Sequence, residues 1–176
     1  MSLSHLPTNR APLAAALTGS VLTGVARVVL GVLWIDEGLI KYRAGFGAAD
    51  IQLVVDSATA NSRVPAFFQG FAGCVLGGSP ELFGMVMPLL EVGLGVALVL
   101  GVLTLPAALM SALTLTTYWL ADQLTASYPI MIALAVVVAT WALAASRFSV
   151  TAVVENAVRR RRPTSFWLRE PVRRWL

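Results

Sequence analysis

The stretch GVLWIDEGLIKYRAGFG, residues 31–47, decides how this chain folds. Most of its residues are apolar or small, and they continue an apolar pattern that begins upstream. About 20 such residues in a helix cross the hydrocarbon core of a bilayer, so the pattern predicts a first membrane-spanning helix over about residues 20–42. Asp36, Glu37 and Lys41 then fall inside this helix. The central question is why three ionisable groups lie there.

The overall composition favours a membrane protein. The chain has 176 residues, of which 57% are hydrophobic and only 12% are charged, and its mean hydropathy is +0.78. An ordinary soluble domain is about half apolar and about a quarter charged. A single small integral membrane domain is therefore predicted.

Three further apolar stretches predict membrane spans at about residues 82–104, 106–121 and 129–146. The connection over residues 44–79 is too polar and too interrupted to span. It contains AADIQLVVDSATA and VPAFFQGFAGCVL, each of which predicts a short helix, and the second would place Phe67, Phe68 and Phe71 against lipid. The predicted fold class is an all-α integral membrane protein, a four-transmembrane-helix bundle with an extracytoplasmic connection between helices 1 and 2.

The distribution of basic residues predicts the topology. Seven of the 13 basic residues follow position 158, and lysine and arginine beside membrane spans are retained on the cytoplasmic side. Both termini are therefore expected on the cytoplasmic side of the cell's inner (plasma) membrane. The chain divides into a cytoplasmic N-terminal segment (1–19), a four-helix membrane domain (20–146) and a basic cytoplasmic tail (147–176).

The tail interleaves arginines with Phe166, Trp167 and Trp175. A segment of this kind beside a membrane helix is attracted to anionic lipid, so membrane lipid is its predicted partner. It carries no nucleic-acid-binding motif, and no nucleic-acid partner is predicted.

One face of the first helix is lined by small residues. At about 100° per residue, Arg27, Gly31, Trp34, Gly38 and Lys41 share a sector of that helix, and small residues let a neighbouring helix approach closely in lipid. This face is predicted to lie inside the bundle. Glu37 is adjacent to it and four residues before Lys41, the favourable order for an intrahelical pair, whereas Asp36 points the opposite way.

A similar face exists on the second predicted span. Gly84, Pro88, Glu91 and Gly95 share one sector, which predicts that Glu91 also faces the bundle interior. At 1.5 Å per residue, Glu91 and Glu37 lie roughly 13 Å and 8 Å below the outer ends of their helices. These depths are close enough for the two carboxyl groups to share a pocket.

Three interpretations of these groups remain open at this point. A charge in mid-membrane costs about 2.5 to 3.5 kcal/mol even on the lenient insertion scale, so pairing between helices is one reason to keep them. A second is function: three acids, Asp36, Glu37 and Glu91, face only one nearby base, so at least one acid is expected to be protonated and able to exchange protons with a bound quinone. Passage of a solute or an ion is a third possibility.

The remaining candidate residues favour ordinary roles. Cys74 is the only cysteine and His5 the only histidine, so neither an intrachain disulfide nor a metal site is predicted. An interfacial aromatic belt is predicted from Tyr118, Trp119 and Asp122 at one end of the third span and from Tyr128 and Trp141 in the fourth.

The motifs RVVLGVLWIDEGLIKY and PLLEVGLGVALVLGVLT resemble the DoxX/DoxD family of four-helix bacterial membrane proteins, which includes the small membrane subunit of thiosulfate:quinone oxidoreductase. In the first motif Arg27, Gly31, Gly38 and Lys41 match the family pattern. In the second the matching residues are Glu91, Gly93, Gly95 and Gly101. Asp36 lies outside the pattern. The resemblance covers roughly residues 20–146 and implies quinone-dependent oxidation of a reduced sulfur compound such as thiosulfate.

The sequence therefore predicts the membrane subunit of a quinone-linked oxidoreductase, whose own catalytic status stays open. Proton and charge handling are expected from Glu91, Glu37 and Lys41, and the residues expected to hold the quinone are Arg27, Trp34, Gly38 and Gly95. Because the chain lacks a cysteine pair for sulfur transfer, a partner subunit or a homo-oligomer is expected. The alternative is a non-catalytic scaffold that anchors a soluble oxidoreductase or a respiratory assembly.

Overall fold

The structure is a computed structural model that describes residues 11–123, 125–162, 164–169 and 172–175. The α-helices are α1 (Ala11–Ala44), α2 (Ala48–Ala60), α3 (Ala66–Phe71), α4 (Pro80–Leu100), α5 (Thr104–Leu120), α6 (Ser127–Thr140), α7 (Ala142–Ala145), α8 (Val150–Arg161) and α9 (Val172–Trp175). A π-helical turn, Ala72–Leu76, follows α3, and a 3-10 turn, Phe166–Leu168, precedes α9. The predicted all-α class is confirmed for the described residues.

Two helices are long and apolar enough to cross a membrane. These are Ala14–Ala44 within α1 and the whole of α4, which correspond to the first two predicted spans. The third and fourth predicted spans coincide with α5, of 17 residues, and with α6, of 14 residues, which α7 extends after a break at Trp141. Four spans therefore stay a prediction, while an all-helical chain with two candidate spans is observed.

Local sequence sets the ends of α4. Pro80 occupies its first turn, where the missing N–H costs nothing. Gly101 ends the helix in the left-handed conformation, with φ of 68°. For this reason α4 stops at Leu100 and not at 104, and α5 begins two residues before the predicted position.

Glycines bring α1 and α4 into close contact. A Cβ at Gly95 would lie 2.6 Å from the carbonyl oxygen of Gly31, and a Cβ at Gly38 would lie 3.0 Å from that of Pro88. Neither gap admits a side chain, so the two backbones pack against each other. The predicted burial of the glycine-lined face is confirmed.

The main core lies where α1, α4, α5 and α6 meet. Its fully buried members include Trp34, Leu98, Leu115, Met131 and Val138. By contrast, large apolar side chains of α1, such as Val25 and Val32, are more than half exposed. This distribution suits a bundle whose outer surface contacts lipid.

The connection between α1 and α4 folds into a cap, defined here as residues 48–76. Phe68 is buried in a second apolar cluster together with Ala58, Val64 and Ala121 at the end of α5. The prediction that Phe67, Phe68 and Phe71 all face lipid is therefore wrong for Phe68, since only the other two are exposed. The cap packs on the helices because Phe68 and its neighbours bury apolar area against them.

Polar contacts at Asp122 fix the cap to the end of α5. Asn61 Nδ2 donates a hydrogen bond to Asp122 Oδ2 at 2.8 Å, and Arg63 Nη2 lies 3.0 Å from Oδ1. Asp122 adopts a left-handed conformation with φ of 57°, which aspartate tolerates better than most residues. Asp122, predicted as an exposed belt residue, instead joins two parts of the fold.

Candidate functional site

Three polar side chains from three helices meet beneath the cap. Glu91 Oε1 accepts a hydrogen bond from Lys41 Nζ at 2.6 Å and one from the Tyr118 hydroxyl at 2.5 Å. We call Lys41, Glu91 and Tyr118 the Glu91 cluster. It joins the end of α1, the middle of α4 and the end of α5.

Glu91 is fully buried, and its two oxygens differ in environment. Both donors bind Oε1, whereas Oε2 is buried without a hydrogen-bond partner among the described residues. A buried polar atom without a partner costs free energy. Oε2 can therefore bind a proton or accept a hydrogen bond from a water molecule or a ligand.

A series of polar groups connects the Glu91 cluster to the protein surface. Lys41 Nζ lies 3.9 Å from Glu37 Oε2, and Ser127 Oγ donates to Glu37 Oε1 at 3.3 Å. Ser127 Oγ in turn lies 2.9 Å from the hydroxyl of the exposed Thr125. Glu37, whose side chain is 20% exposed, therefore stands between the buried carboxyl group and the solvent-facing end of α6.

A cavity of about 230 Å³ lies against the Glu91 cluster, between the cap, α4 and α5. Lys41 and Tyr118 form part of its wall. The apolar lining includes Phe46, Ile51, Val54, Phe68, Phe83, Met87 and Leu90. Phe71, Met110 and Leu113 also line it and are each at least 40% exposed, which places its mouth on the side of the bundle. We call this space the lateral cavity.

Of the four residues predicted to hold a quinone, three pack between helices. Trp34 is fully buried and its Nε1 donates a hydrogen bond to Ser111 Oγ at 2.8 Å. Gly38 and Gly95 form the close contact between α1 and α4 described above. None of these residues lines the lateral cavity.

Arg27, the fourth of these residues, lies near the middle of α1, about 21 Å from Lys41 along the helix. Its guanidinium donates to the carbonyl oxygens of Leu98, Val99, Ala145 and Phe148. Carbonyls at helix ends have no partner within their own helix. Arg27 therefore joins the ends of α4 and α7 and is not close to the Glu91 cluster.

Tyr118 belongs to the Glu91 cluster, although the sequence pattern predicted a different position for it. The prediction of an interfacial belt is wrong for it, because Tyr118 is only 7% exposed and contacts Glu91. Tyr128 is also buried, with its ring centroid 5.5 Å from that of Tyr118. Trp119 and Trp141 are more than half exposed, as a belt would require. The spacing of Ser111, Thr114 and Tyr118 on one helical face was the signal that could have identified Tyr118.

The other candidates play no part in the cluster. Asp36 is exposed, in agreement with its predicted direction away from the glycine face. Cys74 is an exposed free thiol. Among the described residues no group of three or more histidine, cysteine or acidic side chains could hold a metal ion; His5 lies outside these residues.

Comparison of the chain with protein-family models, with curated proteins and with solved structures finds no match. The resemblance to the DoxX/DoxD family therefore stays a prediction that depends on the motifs around Lys41 and Glu91. The class that the fold and site define is an all-helical protein with two candidate membrane spans and a buried, ionisable cluster beside an apolar cavity.

Proposed function

We propose that the protein is the membrane subunit of a quinone-linked oxidoreductase and that the quinone head group binds in the lateral cavity beside the Glu91 cluster. The observation that carries this proposal is the position of Lys41 and Tyr118 in the wall of an apolar cavity, where the Lys41 ammonium group has two further N–H donors besides the one that binds Glu91. Quinone carbonyl oxygens are acceptors, and the rest of the molecule is apolar. The site therefore matches both parts of such a ligand.

The size and opening of the cavity fit a head group with an attached tail. Its volume of about 230 Å³ is below the roughly 300–1,000 Å³ of typical small-molecule sites, so it accommodates a ring and not a whole lipid-soluble quinone. The mouth at Met110 and Leu113 lies on an exposed apolar surface. A hydrocarbon tail would leave through this mouth into the surrounding lipid.

The residues of the cluster have distinct roles in proton transfer. Reduction of a quinone to a quinol takes up two electrons and two protons. Lys41 would donate to a quinone oxygen through a second N–H group, while Tyr118 would hold Glu91 in place through its hydroxyl. Glu91 would return a proton to Lys41 after Lys41 had given one up. Glu37 and Ser127 would pass protons between the exposed Thr125 and Lys41.

The electrons would come from a reduced sulfur compound such as thiosulfate, oxidised on a partner subunit. This assignment follows the family resemblance and the content of the chain, which has a single cysteine. The protein itself would supply the quinone site and the proton route. It would not supply the sulfur chemistry.

In the proposed topology all four apolar segments span the bacterial plasma membrane, with both termini cytoplasmic. The cap then lies outside the cell membrane and the arginine-rich C-terminal region inside, because lysine and arginine beside membrane spans are retained on the cytoplasmic side. With this orientation, Glu37 and Ser127 connect the Glu91 cluster to the extracytoplasmic side.

The alternative function, a membrane scaffold, is favoured by one specific observation. Lys41, Glu91 and Tyr118 bind one another across three helices, an arrangement that also serves helix packing in lipid. A scaffold of this kind would anchor a soluble oxidoreductase without binding a quinone. Ligand binding distinguishes the two functions.

Blocking the mouth of the lateral cavity tests the proposal. Met110 is 42% exposed and lines the cavity, so we expect Met110→Trp to fill the mouth and to weaken binding of a short-chain quinone by about tenfold or more. The measurement is calorimetric titration of decylubiquinone into the purified protein in detergent. Leu109→Trp is the matched control, because Leu109 is 46% exposed and is not part of the cavity wall.

The control variant should bind the quinone as the unmodified protein does, and both variants should keep the same thermal unfolding midpoint. Equal affinity of the two tryptophan variants would contradict the proposed site. Absence of binding by the unmodified protein would favour the scaffold.

A further inference from the structure

A second cavity, of about 400 Å³, lies at the end of the fold away from the cap. It is formed between the first half of α1, the α7–α8 connection, α8 and the C-terminal segment. Its polar lining includes Ser20, Ser146, Asn156 and three arginines, Arg147, Arg159 and Arg173. We call it the arginine cavity.

The arginine cavity carries a net positive charge. Three arginines and one glutamate, Glu155, line it, which leaves a net charge of +2. Glu155 is committed to Arg173, since its two oxygens accept hydrogen bonds from Arg173 Nε at 3.1 and 3.2 Å. This pair fixes the C-terminal segment against α8 and helps to close the cavity.

Arg147 and Arg159 differ from Arg173 in their contacts. Within the part of the chain that the structure describes, neither Arg147 nor Arg159 forms an ion pair or a side-chain hydrogen bond. Both side chains are exposed at the rim of the cavity. Two uncompensated guanidinium groups at one concave site favour a ligand with several negatively charged oxygens.

We propose that the arginine cavity binds a phosphate group, and that the phosphate belongs to the head group of an anionic membrane phospholipid. A guanidinium group can bind two phosphate oxygens at once through its N–H donors, and Ser146 and Asn156 add neutral donors. Leu143 of α7, also part of the lining, is 46% exposed and offers apolar surface beside the arginines. An acyl chain attached to the phosphate would follow this surface.

This proposal concerns a different site from the lateral cavity and is independent of quinone binding. It also differs from a general attraction of the basic tail to anionic lipid. General attraction depends on the number of charges near the surface. A built site depends on which arginines are present.

The experiment compares two double variants of equal charge. Arg147→Gln with Arg159→Gln removes the two uncompensated arginines of the cavity, while Arg160→Gln with Arg161→Gln removes two exposed arginines of α8 that do not line it. All four side chains are exposed, so neither variant disturbs the packing. The measurement is titration of the full-length protein in neutral detergent with short-chain phosphatidylglycerol, followed by thermal unfolding or native mass spectrometry.

We expect the R147Q/R159Q variant to bind phosphatidylglycerol at least about tenfold more weakly than the unmodified protein, and the R160Q/R161Q variant to retain the affinity. Equal weakening of both variants would overturn the proposal in favour of general charge attraction. Equal binding of phosphatidylcholine, whose head group has no net charge, would also overturn it.

Inorganic phosphate distinguishes the two sources of the ligand. If the source is a lipid, phosphate alone should stabilise the unmodified protein far less than phosphatidylglycerol does. If phosphate stabilises it equally well and the effect requires Arg147 and Arg159, the site takes a soluble phosphate, and the lipid part of the proposal is overturned.

Discussion

Replacing Glu91 by glutamine is expected to lower quinone reduction by about 10²-fold or more, the usual contribution of a positioned acid or base. Glutamine has the same shape as glutamate, and its carbonyl oxygen can still accept from Lys41 and Tyr118. It cannot take up or release a proton. The measurement is quinol formation in native membranes that contain the variant with its partner subunits, with thiosulfate as the electron donor.

Asp36→Asn is the control for this experiment. Asp36 lies one residue from Glu37 but is exposed and makes no contact with the Glu91 cluster, so its variant should reduce quinone at the unmodified rate. Wild-type turnover of Glu91→Gln would contradict the proton-handling role. A variant that binds decylubiquinone normally but turns over slowly would locate the defect in proton transfer and not in binding.

Replacing Arg27 by methionine is expected to destabilise the fold by about 3 kcal/mol or more, because the buried carbonyl oxygen of Ala145 and the part-buried ones of Val99 and Phe148 lose their side-chain donor. Arg27 is 2% exposed and donates to carbonyls at the ends of α4 and α7 and to Phe148. These are helix ends, where a cation is also favoured by the helix dipole. The measurement is the free energy of unfolding in mixed micelles.

Two further variants define the role of Arg27. Arg43→Gln removes an exposed arginine from the same helix and should leave the stability within about 0.5 kcal/mol of the unmodified value. Arg27→Lys keeps the charge but has fewer donors in a less extended arrangement, so it should restore only part of the stability. If Arg27→Lys instead lowered quinone affinity without lowering stability, the structural role would be contradicted.

The sequence predicted the parts of the fold that depend on local pattern. Helical periodicity was enough to place Lys41 and Glu91 on inward faces, with Glu37 and Glu91 at depths that allow a shared pocket. The small residues Gly31, Gly38 and Gly95 were enough to predict that these faces pack closely against a neighbouring helix. These predictions require only the geometry of single helices.

Features that depend on the arrangement of several helices were not predictable in this way. Tyr118 joins Glu91 only because α5 packs with a particular rotation, which its apolar sequence leaves open. Arg27 matches the family motif beside Lys41, yet its partners Ala145 and Phe148 lie more than 100 residues away in sequence. The lateral cavity needs the cap, whose burial of Phe68 was not evident from a short aromatic stretch.

The most direct test of the central claim is photolabelling of the protein, reconstituted in lipid, with a photoreactive quinone analogue, followed by peptide sequencing. If the quinone binds in the lateral cavity, the label should be found on the cavity-lining residues between Met110 and Ala121. The label should be lost when unmodified quinone is added in excess. Label confined to the lipid-facing surface of α1 and unaffected by competing quinone would contradict the central claim.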